Sequence, residues 1–343
     1  MGEDKLLTIA IPTYNMEKYI ARCLDSLLIG ESIDKLQVLV VNDGSKDRSS
    51  EIAHSYADKY PCSISVIDKS NGNYGSCINA ALQAAEGKYI KILDSDDYFN
   101  SHSLDELIKR LNECDSDAIL TNHTIITPRQ KYIWKHNYAD GQRIMLEDEC
   151  PSYFPMHSII YRTDLLRKMC YKQSEGISYT DQEWIFYPML KASQMVYIDL
   201  DLYQYCMDRE GQTMDPKVFA KGLPMLYTIL YRALAYRNEN AFDNVPARSE
   251  YCEMQLFRQA ETIYRQELIF NSEVSGKLTA LDLKISEIDS DLYSRLDDLA
   301  LGFCKYVKRF RATGKGVSAI DKHTLSIQCK IINLMNAFRN RIK

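Results

Sequence analysis

Short apolar runs alternate with amphipathic stretches along the first part of the chain. Apolar positions recur at helical spacing in the stretches between these runs, over 16–28, 47–60, 74–85 and 104–114. Strands separated by helices of this length are typical of βαβ units. The pattern therefore predicts an α/β fold in which a mostly parallel sheet is flanked by helices. The runs that predict its strands are Leu6–Ile11, Leu36–Val41, Ile64–Ile67, Tyr89–Leu93 and Ala118–Ile126.

The pattern changes twice further along the chain. After residue 128 it becomes irregular, and after Asp215 long amphipathic helical segments take over. We therefore divide the chain into a first domain, residues 1–215, and a C-terminal helical region, residues 216–343. The segments that predict its helices are Pro224–Asn238, Ser249–Phe270, Glu287–Arg311 and Thr324–Arg341.

Three of the predicted strands end in polar, turn-forming loops. These loops are Pro12-Thr13-Tyr14-Asn15, Asn42-Asp43-Gly44-Ser45 and Asp94-Ser95-Asp96-Asp97. Because the carboxyl ends of parallel strands meet at one edge of a sheet, the three loops should lie together, where open α/β sheets bind their ligands. The pattern predicts a binding site at this edge.

The acidic loop is the strongest candidate for chemistry. Asp94, Asp96 and Asp97 repel one another, and a divalent cation with oxygen ligands is the usual compensation. Mg²⁺ or Mn²⁺ held in this way typically also binds a diphosphate. The alternative is a solvated turn in which Asp97 or Ser101 caps the next helix.

Two further loops allow either a ligand-binding role or a purely structural one. Two glycines lie in 71–76 before a predicted helix, which suits the approach of a phosphate or a sugar, or forms a simple capped loop. Asp181 precedes an apolar run containing Trp184, so it is either a helix N-cap or a carboxylate that faces the cleft.

Composition and charge narrow the class of protein. The chain has 343 residues, 45% of them apolar, and a net charge of −5, which excludes a disordered chain or a disulfide mini-scaffold. Its ten cysteines include no CxxC pair, so a zinc site is not expected. An apolar run of ~20 residues is absent, as is a secretory signal pattern, so we expect a cytoplasmic protein.

The last 39 residues differ in charge from the rest. Residues 305–343 contain ten Lys or Arg and one acid, Asp321, and aromatic residues are interleaved among the basic ones. Such a segment can bind an anionic membrane surface, here the inner face of the plasma membrane, or form a solvated helix face. No nucleic-acid-binding module is recognisable, so nucleic acid is not an expected partner.

The motifs together resemble the family 2 glycosyltransferases, an inverting family with the GT-A fold. The resemblance covers residues 5–215 and rests on the motifs in their order. These are Pro12-Thr13-Tyr14-Asn15, Asn42-Asp43-Gly44-Ser45-Lys46-Asp47, Asn71-Gly72-Asn73-Tyr74-Gly75 with Asn79, Leu93-Asp94-Ser95-Asp96-Asp97, Asp181-Gln182-Glu183-Trp184 and Arg209-Glu210-Gly211-Gln212-Thr213.

The resemblance implies roles for individual residues. Asp181 is the expected catalytic base, and Asp94, Asp96 and Asp97 are the expected ligands of Mn²⁺ or Mg²⁺ on the diphosphate. Tyr14 is expected against the base and Asp43 in a hydrogen bond to it. The donor-binding residues implied in this way are Pro12, Thr13, Tyr14, Asn15, Asp43, Gly75, Asn79, Asp94, Ser95 and Arg209.

The implied reaction is transfer of a hexose from a nucleoside-diphosphate sugar to an acceptor hydroxyl in polysaccharide or glycolipid synthesis. The expected donor is a UDP-sugar. Two positions depart from the family pattern: Asn42 replaces the usual Asp, which leaves the identity of the nucleotide base less defined, and Thr180 replaces the usual Glu.

The alternative functions are a non-catalytic sugar-nucleotide-binding scaffold and a nucleotidyltransferase on a related fold. The helical region is expected to form a packed core, or to bind the saccharide or lipid-linked acceptor or a second copy of the chain.

Overall fold

The computed structural model of the protein describes residues 5–207, 216–240, 242, 244–270, 274, 276–299, 303–318 and 321. The chain forms two compact units. One unit spans Met1–Val218 and Val245–Tyr251, and the other spans Phe219–Asn244 and Cys252–Lys343. The return of Val245–Tyr251 to the first unit is not visible in the sequence pattern.

The first unit is built on one sheet of ten strands, counted over the described residues. The strands are β1 (Leu7–Thr13), β2 (Leu36–Asn42), β3 (Ile64–Asp68), β4 (Tyr89–Ile92), β5 (Tyr98–Phe99), β6 (Ala118–Ile126), β7 (Lys131–Trp134), β8 (Arg143–Met145), β9 (Ile159–Arg162) and β10 (Gln194–Cys206). The main path of the sheet runs β3-β2-β1-β4-β9-β6-β10-β5, while β7 pairs with β6 and β8 with β10.

Helices flank this sheet, as the sequence predicts. They are α1 (Ile20–Asp25), α2 (Ser49–Lys59), α3 (Asn73–Ala84), α4 (Ser101–Leu111), α5 (Thr163–Lys168) and α6 (Asp181–Phe186), and Gly30–Lys35 and Met156–Ser158 form 3₁₀ turns. Helix α1 is shorter than the predicted 16–28 stretch. The backbone N–H groups of Met16 and Glu17 donate instead to the side chains of Ser49 and Asp47.

The sheet is parallel in one half and mixed in the other. Strands β1 to β4 are all parallel, as predicted. Strand β9 then runs antiparallel between β4 and β6, and β10 runs parallel to β6. All seven residues of β1 are buried, and alternate residues of β1 and β2 pack in one core with α1 and α4. Each fully buried aliphatic side chain contributes about 1.5–3 kcal/mol, so this core fixes the strand ends that carry the site.

The second unit is helical. Among the described residues from 216 onward, the helices are α7 (Pro216–Glu239), α8 (Pro246–Phe270), α9 (Gly276–Ile288), α10 (Ser290–Leu296) and α11 (Cys304–Thr313). The predicted single helix over Glu287–Arg311 is wrong, because the side chain of Asp289 accepts a hydrogen bond from the Leu292 N–H at 2.8 Å and begins a new helix. The predicted helix over Thr324–Arg341 lies outside the described residues.

The described part of the basic tail is integrated into this unit. The aromatic rings of Phe303, Tyr306 and Phe310 are buried, and binding of residues 305–343 to an anionic membrane surface stays a prediction. The Arg311 guanidinium lies 2.8 Å from the carboxylates of both Asp282 and Asp297. Among the described residues no helix has the length and apolar character to cross a membrane.

Candidate active site

The three polar loops meet at the carboxyl ends of β1, β2 and β4, as the sequence predicts. The backbone N–H of Asp43 donates to the Thr13 carbonyl at 2.9 Å. The Ser95 hydroxyl, which is buried, donates to the Pro12 carbonyl at 2.9 Å. These bonds tie the second and third loops directly to the first.

The first loop presents an aromatic ring to solvent. Tyr14 is 46% exposed, which leaves its ring available for stacking. Asn15 has a φ of 55°, in the left-handed region, and its side chain accepts the Lys46 N–H at 2.7 Å. Gly44 has a φ of 74° in the turn that follows β2, where a side chain would be strained.

Asp43 organises the loop that precedes α3. Its carboxylate accepts from the Lys69 ammonium at 2.7 Å and from the backbone N–H groups of Gly72 and Asn73 at 2.9 Å. The carboxylate is buried, and the Cys77 thiol also lies against it, so its acceptor positions are used within the protein. The predicted contact of Asp43 with a base stays a prediction.

The departure at Asn42 has a physical reason in the structure. The Asn42 amide donates to the Asp68 carboxylate at 2.7 Å, and its oxygen accepts the Ser45 N–H at 3.0 Å. An aspartate at position 42 would place a second negative charge against Asp68. The amide therefore replaces repulsion by a hydrogen bond at the end of β2.

The acidic loop after β4 is held by tyrosine hydroxyls. The Tyr74 hydroxyl donates to Asp94 at 2.7 Å, and the Tyr203 hydroxyl donates to Asp97 at 2.7 Å. Asp97 also accepts the Cys206 N–H at 2.7 Å, so its carboxylate faces β10 and does not cap α4. The N-cap of α4 is Asn100, so the capping alternative for Asp97 and Ser101 is wrong.

Burial makes the charges of this loop costly. Burial, followed by the charge of Asp96, raises the pKa of Asp94 to about 7. Burial also raises the pKa of Asp97 well above its usual range, and Asp96 and Asp94 add to the effect. A cation bound between these carboxylates would restore their ionised forms.

A histidine that sequence reasoning missed joins the carboxylates. One ligand atom each from Asp94, Asp97 and His157 lies within 4.8 Å of the others. Burial lowers the pKa of His157 well below its usual value, so its imidazole is neutral and able to ligate. The two carboxylate oxygens are ligands that Mn²⁺ and Mg²⁺ prefer, whereas an imidazole nitrogen favours a transition metal such as Mn²⁺ over Mg²⁺.

His157 lies in the irregular part of the sequence, where no spacing marks it as a ligand. Asp96, the third predicted ligand, does not belong to this group of described residues. Its backbone carbonyl accepts the Arg22 guanidinium at 2.5 Å. A direct role of the Asp96 carboxylate at a metal stays a prediction.

The expected base, Asp181, belongs to α6. It is the first residue of the helix, and Thr180 precedes it without a side-chain cap, so the N-cap alternative is wrong. Burial raises the pKa of Asp181 to about 6. The charge of Asp181 in turn raises the pKa values of Asp94 and Tyr74, so it lies within electrostatic reach of both. The structure thus brings the predicted base and the acidic loop together.

Strained backbone surrounds the site. Four non-glycine residues have positive φ among those described, and three of them, Asn15, Asn73 and Tyr179, lie in the loops that build it. Tyr179 has a φ of 65° two residues before Asp181. Such strain costs about 1–3 kcal/mol per residue and is concentrated at functional sites.

Gly75 and Asn79 contact the segment that leads to α6. A Cβ on Gly75 would lie 2.1 Å from the Ser174 carbonyl oxygen, so this position has room only for glycine. The Asn79 amide donates to the Gln173 carbonyl at 3.0 Å and to Glu175 at 2.8 Å, and its oxygen accepts the Gln173 N–H at 2.8 Å. These bonds within the protein do not test the predicted contacts of Gly75 and Asn79 with the donor. Arg209 lies outside the described residues.

Comparison with known proteins gives the family. Residues 8–170 match the model of glycosyl transferase family 2. A relative described as an uncharacterized glycosyltransferase MG025 homolog, from Mycoplasma pneumoniae, is 47% identical over 49% of this chain and 58% of the relative. The poly(ribitol-phosphate) beta-N-acetylglucosaminyltransferase TarS of Staphylococcus aureus is 30% identical over 60% of this chain and 36% of TarS. The chain thus matches between a third and three fifths of these relatives' lengths.

Solved structures give the fold. A crystal structure of S. aureus TarS in complex with UDP-GlcNAc superposes with a TM-score of 0.55 at 21% identity, over 90% of this chain and 92% of that one. The mannosyltransferase PcManGT from Pyrobaculum calidifontis, in complex with GDP-Man and Mn²⁺, has a TM-score of 0.50 at 15% identity, over 84% of this chain and 82% of that one. The predicted GT-A fold is confirmed, and residues 8–170 match the model of glycosyl transferase family 2.

Proposed function

We propose that the protein is an inverting, metal-assisted glycosyltransferase that moves a hexose from a nucleoside-diphosphate sugar, preferably a UDP-sugar, to an acceptor hydroxyl in polysaccharide or glycolipid synthesis. The observation that carries this proposal is the placement of Asp181 within electrostatic reach of Asp94, beside the group Asp94, Asp97 and His157. A proton acceptor and a cation site would then serve one reaction centre.

The donor would bind along the ends of β1, β2 and β4. Tyr14, which is 46% exposed, would stack on the base, and Asp43 would accept a base N–H. A uracil is proposed because TarS is known in complex with UDP-GlcNAc, whereas PcManGT holds GDP-Man. Asp94, Asp97 and His157 would hold a divalent metal, which neutralises the charge of the leaving diphosphate.

Asp181 would take the proton of the acceptor hydroxyl. A general base works best when its pKa lies near the operating pH, and burial brings the pKa of Asp181 to about 6. Attack by that oxygen on the anomeric carbon, as the bond to the diphosphate breaks, inverts the carbon in one step. We further propose that residues 1–215 form the catalytic domain and that the helical region serves the acceptor or a second copy of the chain.

The substitution Asp181→Asn tests this assignment. It should reduce sugar transfer by about 10²–10⁴-fold, because proton removal is lost, and should leave donor affinity nearly unchanged. Turnover is measured as UDP release from UDP-GlcNAc with Mn²⁺, and affinity by calorimetry. The matched control is Asp164→Asn, which removes an exposed acid from the first turn of another six-residue helix, α5.

The outcomes separate the proposals. Normal turnover of Asp181→Asn would eliminate Asp181 as the base. A wild-type protein that binds UDP-GlcNAc without turning it over, with saccharide acceptors or with water, would instead identify a non-catalytic scaffold. A larger thermal shift with GDP-mannose than with UDP-GlcNAc would overturn the choice of UDP.

A further inference from the structure

A fully buried lysine lies in β4, three residues before Asp94. All four residues of this strand are buried, and Lys91 has no exposed surface. Lysine is almost never fully buried unless it is paired. The strand therefore carries a charge that must have a specific set of partners, and the family resemblance does not assign it a role.

The Lys91 ammonium is saturated by backbone carbonyls. It donates to Met156 at 3.0 Å, to His157 at 2.7 Å and to Ile159 at 3.0 Å. An ammonium has three N–H donors, so these three bonds use all of them. All three acceptors belong to one short segment, the 3₁₀ turn Met156–Ser158 and the first residue of β9. Lys91 thus fixes the backbone of that turn from inside the sheet.

The turn that Lys91 fixes carries the only histidine in the candidate metal group of the described residues. The His157 ring is stacked on Tyr205, with 4.2 Å between ring centroids. Lys91 also lies 5.3 Å from the ring centroid of Tyr203, whose hydroxyl donates to Asp97 and accepts the Asp94 N–H at 3.2 Å. The Lys91 ammonium therefore contacts both the backbone of His157 and the ring of Tyr203, the residue that bonds to Asp94 and Asp97.

The residue that follows His157 is held from the other side. The buried Ser158 hydroxyl lies 2.8 Å from His123 Nδ1 and 3.2 Å from His136 Nε2. These bonds and the three carbonyl bonds of Lys91 leave the turn little freedom. The imidazole of His157 is then presented to the carboxylates by a rigid support.

We propose that Lys91 is a positioning residue for the metal group, acting through the backbone of His157. This inference rests on the metal use in the proposed function. Loss of such an outer-shell partner typically weakens metal binding by about 10–100-fold, because the ligand is no longer held in place.

The test is Mn²⁺ affinity, measured by electron paramagnetic resonance of free Mn²⁺ with and without UDP. Lys91→Met should weaken Mn²⁺ binding by about 10–100-fold. The matched control is Lys88→Met, because Lys88 also donates to two backbone carbonyls, of Leu111 and Asn112, and lies over the Tyr89 ring, away from the acidic loop. That control should leave Mn²⁺ affinity unchanged.

A double-mutant cycle distinguishes positioning from a general loss of structure. His157→Ala should itself weaken Mn²⁺ binding, and adding Lys91→Met should then weaken it little further, because the two changes act on one ligand. Fully additive effects would overturn the proposal. If Lys91→Met fails to fold, as judged by circular dichroism, Lys91→Gln keeps a polar donor in the strand and enters the same cycle.

The remaining outcomes are separable. Equal Mn²⁺ affinity of wild type and Lys91→Met, with weakened binding in His157→Ala, would refute the role of Lys91 alone. Equal affinity of wild type and His157→Ala would remove His157 from the metal group and refute the inference with it. A wild type that binds no Mn²⁺ in either titration would refute the proposed metal use.

Discussion

Asp181 combines a proposed catalytic role with an energetic cost to the fold. Burial raises its pKa from 3.8 to about 6, so the folded state disfavours its ionised form. For an acid of this kind the folded state binds more protons than the unfolded chain between these two values. Stability therefore falls as pH rises from about 4 to about 6, and the loss is complete above that range.

Asp181→Asn should consequently stabilise the protein at neutral pH. We expect a gain of about 1–3 kcal/mol above pH 6, discounted for the partial exposure of the side chain, and none below pH 4. Chemical denaturation of both proteins at pH 4 and pH 8 measures this. A gain of equal size at both pH values would show that the pKa of Asp181 is not raised by the fold.

Gly75 shows how one missing side chain sets the packing of the site. Because a Cβ would lie 2.1 Å from the Ser174 carbonyl oxygen, Gly75→Ala must displace either α3 or the segment before α6. We expect a loss of about 1–3 kcal/mol in the free energy of unfolding.

The control for this prediction is Gly276→Ala at the start of α9, where an added Cβ meets no atom within 4 Å. That change should be neutral or slightly stabilising, because alanine favours a helix. Thermal unfolding of the two variants measures the difference. Equal melting temperatures would contradict the close approach of Gly75 to the Ser174 carbonyl oxygen.

At the scale of elements, α3 and α6 are coupled through the segment between α5 and α6. Asn79 on α3 bonds to Gln173 and Glu175, while Glu183 on α6 accepts from the N–H and the hydroxyl of Ser174. Residues 173–175 of this segment are therefore anchored to both helices, six residues before Asp181. The position of the proposed base depends on α3 through these bonds.

Asn79→Ala distinguishes anchoring from donor binding. If Asn79 anchors the segment, the variant should lose about 10-fold or more in kcat while KM for the donor stays within a factor of about two, because a small misplacement of a catalytic group is costly. If Asn79 contacts the donor, KM should rise instead. Steady-state kinetics with UDP-GlcNAc separate the two, with Gln83→Ala, an exposed position further along α3, as the control.

The elements differ in how far the sequence predicts them. Strands β1 and β2 are largely apolar runs bounded by polar turns, so the local pattern suffices, and the loops at their ends follow from parallel topology. Strand β9 is only four residues long and pairs with strands from distant parts of the chain, so nothing local marks it. His157 precedes β9 in the same region. Its place beside Asp94 depends on long-range contacts, of which Lys91 supplies three bonds.

At the scale of the whole molecule, the first unit includes a segment from beyond the predicted boundary. Tyr251, within the returning segment Val245–Tyr251, donates to the Ile185 carbonyl at 2.7 Å, and its ring stacks on Phe154 at 6.1 Å. Ile185 belongs to α6, the helix that Asp181 begins. A chain cut at the predicted boundary, residue 215, would lose this support even though every predicted site residue would remain.

The basic tail gives the prediction that belongs to the whole chain. Deleting all of residues 305–343 would remove Tyr306, Val307 and Phe310 from the core of the second unit, so lost membrane binding could then reflect unfolding. Removal of residues 322–343 takes away five basic residues and no acid, and spares α11. If the tail binds an anionic surface, this truncation should abolish flotation with phosphatidylserine vesicles, since each basic residue contributes about 1 kcal/mol.

The control must keep the charge of residues 322–343 and alter only the described part of the tail. Lys305, Lys308 and Arg309 are exposed on α11, so replacing all three by alanine lowers the charge by three and keeps the buried rings, although it removes the Lys305 ammonium that lies 4.8 Å from the Tyr306 ring centroid. If charge alone drives binding, a smaller fraction of this triple variant than of the wild type should float with the vesicles. High salt should lower the floated fraction of the wild type in the same way, because screening weakens surface attraction. If the apolar residues among 322–343 drive it, the triple variant should float normally in high salt. Equal flotation of the wild type and the truncated chain would end the membrane hypothesis and favour a solvated helix face.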